Sequence, residues 1–314
     1  MDGADPCPSD SGTGVVASFR PPFDLNERGG WITVPDEGAN SRLERIMGAE
    51  GISRLASSTV MVLGLGGVGS SCVEALARGG VGRLVLVDRD SVTLSNLNRQ
   101  AIAFHSTMGR RKVEVMREMV LDINPDCEVV CADLFVKREN IEEVFAVYGE
   151  GVDYVVDAID TISAKLALAR YAEQRGIPLV SSMGAANRLR PEYLRFADIH
   201  KTFNCPMCRI MRKEARQRGI KHLRVLFSCE LPLEIGSEEG ASRNDRTNLG
   251  TASYLPPIMG QMIAGDVICH LIGSDRADAP WPKLMGAGAL GIEKMRKRDR
   301  EKAARRAAEA GEGA

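Results

Sequence analysis

The sequence predicts an α/β fold built on a doubly wound, mostly parallel sheet with a C-terminal extension on the substrate side. Short apolar runs alternate along the chain with longer segments whose apolar residues recur at helical spacing. The short runs are continuously apolar, which is typical of parallel strands buried on both faces. A glycine-rich turn, GLGGVG at 64–69, joins the first run to a helical segment. Ligands of such sheets bind beyond the carboxyl ends of the strands, so the chemistry is expected there.

The predicted elements follow in a regular order from residue 41. A helical segment at 41–58 comes first and carries Arg42 and Arg45 on its polar side. Strands are predicted at 59–63, 83–88, 128–133, 154–159 and 178–183, and helices at 70–78, 107–123, 138–147 and 161–175. Less regular strands are expected within 184–200, and a basic helix at 204–218.

The chain divides into three parts by composition. Residues 1–40 are rich in Asp, Gly, Ser and Pro and predict a disordered or loose N-terminal arm. Residues 41–273 predict the catalytic domain, with a basic segment at 204–224 and a long mobile loop at 234–251. Residues 274–314 predict a charged C-terminal tail. Its basic stretch from Lys294 is interpreted as a frayed helix, with a nucleic-acid contact as the second interpretation.

Composition limits the classes of function. The chain has 314 residues, 44% hydrophobic, and a net charge of −1, so a nucleic-acid surface must be a local patch. Eight cysteines scattered through apparent core segments, after an N-terminus without an apolar stretch, predict a cytoplasmic protein with reduced thiols. The apolar stretch at 254–273 carries Asp266, which favours a buried helix and no membrane association. Asp266 and His270 are expected to form a core pair in preference to a metal site.

The glycine turn predicts a nucleotide on a Rossmann-like sheet. Gly64 permits the tight turn, Gly66 lets backbone amides approach a phosphate, and Gly69 lets the helix pack against the strand. Asp88 ends the next apolar run about 20 residues further on, where an acid binds ribose hydroxyls. A glycine-rich turn without a ligand is the alternative, and the position of Asp88 argues against it.

The loop after the second strand indicates which nucleotide is bound. A nicotinamide enzyme needs only the ribose-binding acid at this point, whereas this chain adds Asn96, Arg99, Gln100 and Lys112. Cations and amide donors grouped in this way suit a reacting triphosphate, which predicts ATP. Asp160, at the end of the fourth strand, is placed to hold Mg²⁺. Asp133, at the end of the third, either joins this edge or caps a helix.

Four separated motifs resemble the ATP-binding core of the ThiF/MoeB superfamily, which includes the ubiquitin-activating enzymes. They are GLGGVGS, then D-x-D-x-V-x-x-S-N-L-N-R-Q, then the Lys of GRRKVE, then DAID. The resemblance implies a ThiF-type fold, an acyl-adenylate made from ATP, and a homodimer in which Arg45 reaches the partner's ATP site. The implied catalytic residues are Arg45, Arg99, Lys112 and Asp160, the last as metal ligand. The implied nucleotide-binding residues are Gly64, Gly66, Gly67, Gly69, Asp88, Asp90, Asn96, Arg99, Gln100 and Lys112.

Within that superfamily the sequence is most similar to the tRNA threonylcarbamoyladenosine dehydratases. The similar stretches include ALARGGVGRLVLVD, SNLNRQ, YVVDAIDTISAKLAL and IPLVSSMGAANRLRP. This branch activates a threonyl carboxylate of a modified adenosine in tRNA, which then cyclises with loss of water. The alternative is adenylation of the C-terminal glycine of a small ubiquitin-like sulfur-carrier protein, with a sulfur-transfer or redox partner.

Two further features bear on partners. Carrier-activating relatives typically hold zinc with two CxxC pairs, whereas this chain has one pair, Cys205 and Cys208. The pair is therefore interpreted as a helix start in preference to a metal or redox site. The segment from Arg209 to Arg224 carries seven basic residues and one acid, Glu214. It is either a solvated helix face or a surface for the tRNA backbone.

Overall fold

A computed structural model describes residues 38–233 and 249–274, and those from Ala39 onward belong to one compact unit. The strands are β1 (Thr59–Leu63), β2 (Arg83–Val87), β3 (Glu128–Ala132), β4 (Tyr154–Asp157), β5 (Leu179–Ser182), β6 (Leu194–Asp198) and β7 (Arg224–Ser228). The helices are α1 (Ser41–Ala56), α2 (Gly67–Arg78), α3 (Lys112–Ile123), α4 (Ile141–Tyr148), α5 (Ile162–Arg175), α6 (Pro206–Gln217) and α7 (Leu255–Leu271).

The strands form one seven-stranded sheet in the order β3-β2-β1-β4-β5-β7-β6. Every neighbouring pair is parallel except β6 and β7, which run antiparallel. The strand order reverses direction between β1 and β4, so the carboxyl ends of these two strands flank the switch point at which such sheets bind ligands. The predicted fold class is confirmed.

Alternate residues of the central strands face two different cores. Val60 and Val62 pack with α2, α3 and α7 on one face, whereas Met61 and Leu63 pack with α4 and α5 on the other. This two-sided burial explains why the strands are continuously apolar in the sequence. Helix α7 is buried, as predicted, and the described part of the chain contains no helix long and apolar enough to cross a membrane.

Several predicted boundaries are wrong by a few residues for local reasons. Four strands end one or two residues earlier than predicted: β2 before Asp88, β3 before Asp133, β4 at Asp157 and β5 at Ser182. The helix predicted from residue 107 begins at Lys112, because Gly109 has a φ of 78° that interrupts it. A short 3-10 helix at Arg138–Asn140 precedes α4. The arm, the tail and most of the 234–251 loop lie outside the described residues.

The basic segment at 204–224 is not one helix. Helix α6 ends at Gln217, and Gly219, with a φ of 70°, turns the chain toward β7. Arg224 begins that strand and makes a two-point ion pair with Asp266 of α7, at 2.8 and 2.5 Å. The predicted pairing of Asp266 with His270 is therefore wrong, because the His270 ring lies edge-on to Tyr154 at a centroid distance of 5.0 Å.

Candidate nucleotide-binding site

A cavity of about 400 Å³ opens at the switch point, beyond the carboxyl ends of β1 and β4. The sequence predicts the site at this position, and most of the predicted site residues line the cavity. Those lining it are Gly64, Gly66, Gly67, Asp88, Asp90, Asn96, Arg99, Gln100, Lys112 and Asp160. Gly69 and Arg45 are not among the lining residues. The structure thus brings together side chains that are separated by nearly 100 positions in the chain.

The glycine turn forms the floor of this cavity. Gly64 adopts a φ of 92°, a conformation that favours glycine, and leads into the N-terminus of α2. A Cβ on Gly69 would lie 1.8 Å from the Gly64 carbonyl oxygen, so α2 can start this close to β1 only without a side chain there. A Cβ on Gly66 would meet nothing within 4 Å. The positive end of the α2 dipole and the cavity space beside Gly66 suit a phosphate.

Asp88 is fixed by the backbone directly after β2. Its Oδ2 accepts a hydrogen bond from Leu65 N at 2.6 Å, and its Oδ1 accepts one from Asp90 N at 2.7 Å. The first of these bonds ties the acid to the glycine turn. A carboxylate has about four acceptor positions, so two remain for ribose hydroxyls.

Lys112 is the first residue of α3, and its side chain is only 6% exposed. Its Nζ lies 3.0 Å from Asp90 Oδ2 and 4.0 Å from Asp88 Oδ2. The Asp90 side chain is 59% exposed, so one partner of this buried ammonium is largely in solvent. Lys112 can therefore exchange Asp90 for a phosphate oxygen without losing its second carboxylate neighbour.

The loop between β2 and α3 places three further polar side chains on the cavity. The Asn96 Oδ1 accepts from Thr93 N at 3.1 Å, which holds a 3-10 turn at Leu94–Asn96. Arg99 Nη1 donates to Ser95 O at 2.8 Å and to Asn98 Oδ1 at 2.9 Å. Gln100 is buried, and its Oε1 has no hydrogen-bond partner among the described residues. An unpartnered polar atom in a cavity lining fits a site that a polar ligand completes.

Behind Asp160 lies a fully buried ion pair. Lys165 Nζ is 3.1 Å from Asp157 Oδ2, with side-chain exposures of 0% and 1%, and it also donates to Ser182 O at 2.8 Å. Asp157 Oδ1 in turn accepts from Ile159 N at 3.1 Å, in the loop that carries Asp160. The Asp160 carboxylate itself is exposed on the cavity rim and accepts from the Thr161 hydroxyl at 3.2 Å. A rim carboxylate of this kind fits a Mg²⁺ that keeps several waters.

Sequence reasoning missed one wall of the cavity. Leu134, Phe135 and Val136 line it just beyond β3, and the Arg89 guanidinium lies 4.3 Å from the Phe135 ring centroid. The apolar triplet after the third strand is the signal that could have indicated a surface for a base. Met183, Gly184 and Met207 line the opposite side. Asp133 takes neither predicted role, because it lies outside the lining and pairs with Arg111.

The remaining predicted residues are not among those that line the cavity. Arg45 is exposed on α1 and its predicted role in a partner's site stays a prediction. Cys205 is the N-cap of α6, which confirms the CxxC as a helix start. Within 38–233 and 249–274, no cluster of three or more His, Cys, Asp or Glu side chains could hold a metal ion.

The sheet order, the glycine turn and the polar cavity define a Rossmann-like α/β protein whose site is built at the topological switch point. The chain belongs to the ThiF family, whose profile matches residues 39–302. It is 42% identical over 241 residues to a Bacillus subtilis tRNA threonylcarbamoyladenosine dehydratase, covering 74% of this chain and 94% of that protein. The solved structure of Escherichia coli tRNA N6-threonylcarbamoyladenosine dehydratase, TcdA, in complex with ATP superposes with a TM-score of 0.65 at 30% identity, over 75% of this chain and 94% of that chain. A Haloferax volcanii SAMP-activating enzyme E1 is 41% identical over 134 residues, 43% of this chain and 48% of that protein.

Proposed function

We propose that the protein activates a carboxylate with ATP as an acyl-adenylate, and that its substrate is threonylcarbamoyladenosine in tRNA. The observation that carries this proposal is the cavity, where Lys112, Arg99 and the N-terminus of α2 surround the space in front of Gly66. This set of donors suits a polyphosphate whose charge changes during reaction. The relatives supply the substrate, because the Bacillus subtilis and Escherichia coli proteins are both named for dehydration of this nucleoside.

Acidic, apolar and cationic groups of the cavity orient different parts of the nucleotide. Asp88 accepts hydrogen bonds from the ribose hydroxyls, and the apolar residues Leu134 and Val136 flank the base. The phosphates then lie between the α2 N-terminus and the cations Lys112 and Arg99. Asp160 would hold Mg²⁺, which supplies neutralisation of charge on the phosphate oxygens when bound.

The reaction has two steps. A carboxylate oxygen of the threonyl group attacks the α-phosphorus, the bond to the bridging oxygen breaks, and pyrophosphate leaves. A nucleophilic atom of the carbamoyl group then attacks the activated carbonyl carbon, a carbamoyl N–H proton is released to solvent, and AMP leaves with the former carboxylate oxygen. The ring that forms has lost one water relative to the substrate. Lys112 and Arg99 stabilise the negative charge that moves onto the leaving groups.

The tRNA surface is proposed on α6. Some basic residues of the segment make contacts within the fold and are left out of this surface. Arg212 donates to Thr202 O at 2.8 Å, Arg218 pairs with Glu214, and Arg224 pairs with Asp266, so these three serve the fold. Arg209, Lys213 and Arg216 are exposed. Their spacing of four and three residues puts them on one face of the helix. Met207, in the first turn of the same helix, lines the cavity, so phosphates bound along α6 lead toward the site.

Charge reversal tests this surface. The double variant Arg209→Glu with Arg216→Glu is expected to weaken tRNA binding by about 100-fold or more at moderate salt and to lower the salt slope by about two units, since each cation neutralises one phosphate. The matched control is Arg78→Glu with Arg117→Glu, two exposed arginines on α2 and α3. A fluorescence titration across salt concentrations measures both. Equal weakening in the two variants would rule out α6 as a specific surface.

The homodimer and the metal ligand are proposed together. Arg45 is proposed to reach the partner's phosphates, and Asp160 to hold Mg²⁺ in its own subunit. Mixing Arg45→Ala subunits with Asp160→Ala subunits is expected to restore part of the activity, because hybrid dimers contain one intact site. Activity no higher than the sum of the separate variants, or a monomer by light scattering, would contradict the proposal.

The whole proposal is tested by mass analysis of nucleosides from tRNA that carries threonylcarbamoyladenosine. With ATP and Mg²⁺, the modified nucleoside is expected to become lighter by one water, and AMP and pyrophosphate to appear in equal amounts. The matched control is Lys112→Ala. If pyrophosphate exchange instead required a small ubiquitin-like carrier protein and the nucleoside stayed unchanged, the substrate assignment would be wrong.

A further inference from the structure

Two cysteines lie side by side at the start of α6, next to the cavity wall. Cys205 is the N-cap residue, and its Sγ accepts a hydrogen bond from Cys208 N at 3.5 Å. Both are buried, and Met207 between them lines the cavity. The reaction proposed above uses neither thiol.

A buried arginine whose charge acts on this pair has no carboxylate partner among the described residues. Arg188 is 3% exposed and donates only to backbone carbonyls: Gly184 O at 2.9 Å, Ala186 O at 3.1 Å and Glu230 O at 3.4 Å. Its Nη2 is buried with no hydrogen-bond partner, and its side-chain contacts within the described residues are all to backbone oxygens. A buried guanidinium that is not neutralised carries a free-energy cost. A nearby anion would remove that cost.

The charge of Arg188 acts on Cys205, whose thiolate would be such an anion. Arg188 and Asn204, the residue before Cys205, bind consecutive backbone carbonyls. Arg188 donates to the Glu230 carbonyl, and Asn204 donates to the Cys229 carbonyl at 3.0 Å. A hydrogen bond from Cys208, backbone donors of the helix start and the Arg188 charge lower the pKa of Cys205 to about 6. The same hydrogen bond to Cys205 raises the pKa of Cys208, together with burial, against smaller opposing effects of Thr202 and Arg212. One thiolate and one thiol, three residues apart, form the arrangement typical of thiol–disulfide chemistry.

We propose that Cys205 and Cys208 form a redox-active dithiol that a peroxide converts into an intramolecular disulfide, and that this changes the wall of the nucleotide cavity. The Cys205 thiolate attacks one peroxide oxygen, the O–O bond breaks and hydroxide leaves, which gives a sulfenic acid. The negative charge that held the proton on Cys208 is then gone. Cys208 loses its proton, its sulfur attacks the Cys205 sulfur, and hydroxide leaves. In sum, two thiols and one hydrogen peroxide give one disulfide and two waters.

The disulfide affects the cavity through two contacts. It removes the thiolate that neutralises Arg188, and Arg188 holds the Gly184 and Ala186 carbonyls of the cavity wall. It also constrains the first turn of α6, which carries Met207. ATP affinity is therefore expected to fall severalfold in the oxidised protein and to recover when a dithiol reductant is added.

The test uses the full chain, reduced and then treated with one equivalent of hydrogen peroxide. Trypsin cuts after Lys201 and Arg209, so both cysteines fall in the peptide 202–209 without any other cysteine. After denaturation and alkylation, this peptide is expected to be lighter by two hydrogens and unalkylated. Full alkylation of the peptide, or a disulfide to another cysteine, would overturn the proposal. One zinc ion retained per chain, with thiols that react only after chelation, would also overturn it.

Variants separate the steps. Cys208→Ser is expected to stop at a sulfenic acid on Cys205 that dimedone traps, and Arg188→Met to slow oxidation at least tenfold, whereas Arg188→Lys keeps the charge and most of the rate. The matched control is Cys229→Ser, because Cys229 is an equally buried neighbour whose pKa is raised by burial. Unchanged ATP affinity in the disulfide form would contradict the coupling to the cavity. These measurements need no tRNA, so they can fail independently of the proposed function.

Discussion

Two lysine–carboxylate pairs lie at the same edge of the sheet, and their surroundings differ. Lys112 sits beside Asp90 and Asp88 at the cavity, with one carboxylate 59% exposed. Lys165 sits beside Asp157 with both side chains at or below 1% exposure, and it also contacts the Ser181 hydroxyl at 3.1 Å and the Ser182 carbonyl at 2.8 Å. Lys112 can exchange a carboxylate partner for a ligand, whereas the partners of Lys165 are all buried groups of the protein. The same residue types thus serve a site in one place and the scaffold in the other.

Breaking the buried pair is expected to have the largest effect. Lys165→Met leaves Asp157 as an uncompensated buried charge and should lower the free energy of unfolding by about 3–5 kcal/mol. Urea denaturation followed by circular dichroism measures this loss. The double variant Lys165→Met with Asp157→Leu should recover a large part of it, because replacing a buried ion pair by apolar residues is often neutral. A single variant within about 1 kcal/mol of the parent would show that the pair is not structural.

Removing the cavity lysine is expected to act on the reaction and spare the fold. Lys112→Ala should lower the rate of adenylate formation by about 100- to 1000-fold, since one charge-stabilising donor is lost. The midpoint of urea denaturation should move little, because Asp90 is free to become solvated. ATP–pyrophosphate exchange in the presence of tRNA measures the rate. A loss of stability as large as that of Lys165→Met would remove the distinction between the two pairs.

The smallest effect is expected from the exposed carboxylate. Asp90→Asn should change the free energy of unfolding by less than about 1 kcal/mol, in line with other partly exposed ion pairs. It should also leave ATP binding intact or slightly tighter, since Lys112 no longer has to release a competing anion. Isothermal titration with ATP checks this expectation. Loss of binding would instead assign Asp90 a direct contact with the nucleotide.

The sequence predicted the parts of the site that local chemistry determines. Gly64, Asp88 and Lys112 stand at fixed distances from the ends of strands or the starts of helices, so a motif is enough to place them. The Phe135 wall has a local signal, the apolar triplet after β3, but its position at the cavity, like that of Met207, depends on sheet order and the packing of α6. Lys165 was missed for a related reason: a lysine in an alanine-rich helix reads as exposed until the neighbouring strand ends are known.

Partner assignments failed where the partner is distant in the chain. Arg224 was counted with a basic surface, yet its carboxylate partner is 42 residues away on α7. Asp133 pairs with Arg111, 22 residues earlier. A charge pattern in one segment indicates only the local balance of charge. The exposed cations of α6 are proposed as a surface because they remain after the internally paired residues are set aside.

The orientation of the helices has a consequence for how the cavity attracts anions. Residues in the first turns of α2, α3 and α6 lie in its lining. The positive ends of these three helix dipoles therefore lie close to one space, in a chain whose net charge is −1. Dipoles of the backbone carry no titratable proton. The contribution of the helix dipoles to the potential over the cavity is consequently a property of the topology, and it persists when surface charges are altered or the pH is changed, for as long as the helices remain folded.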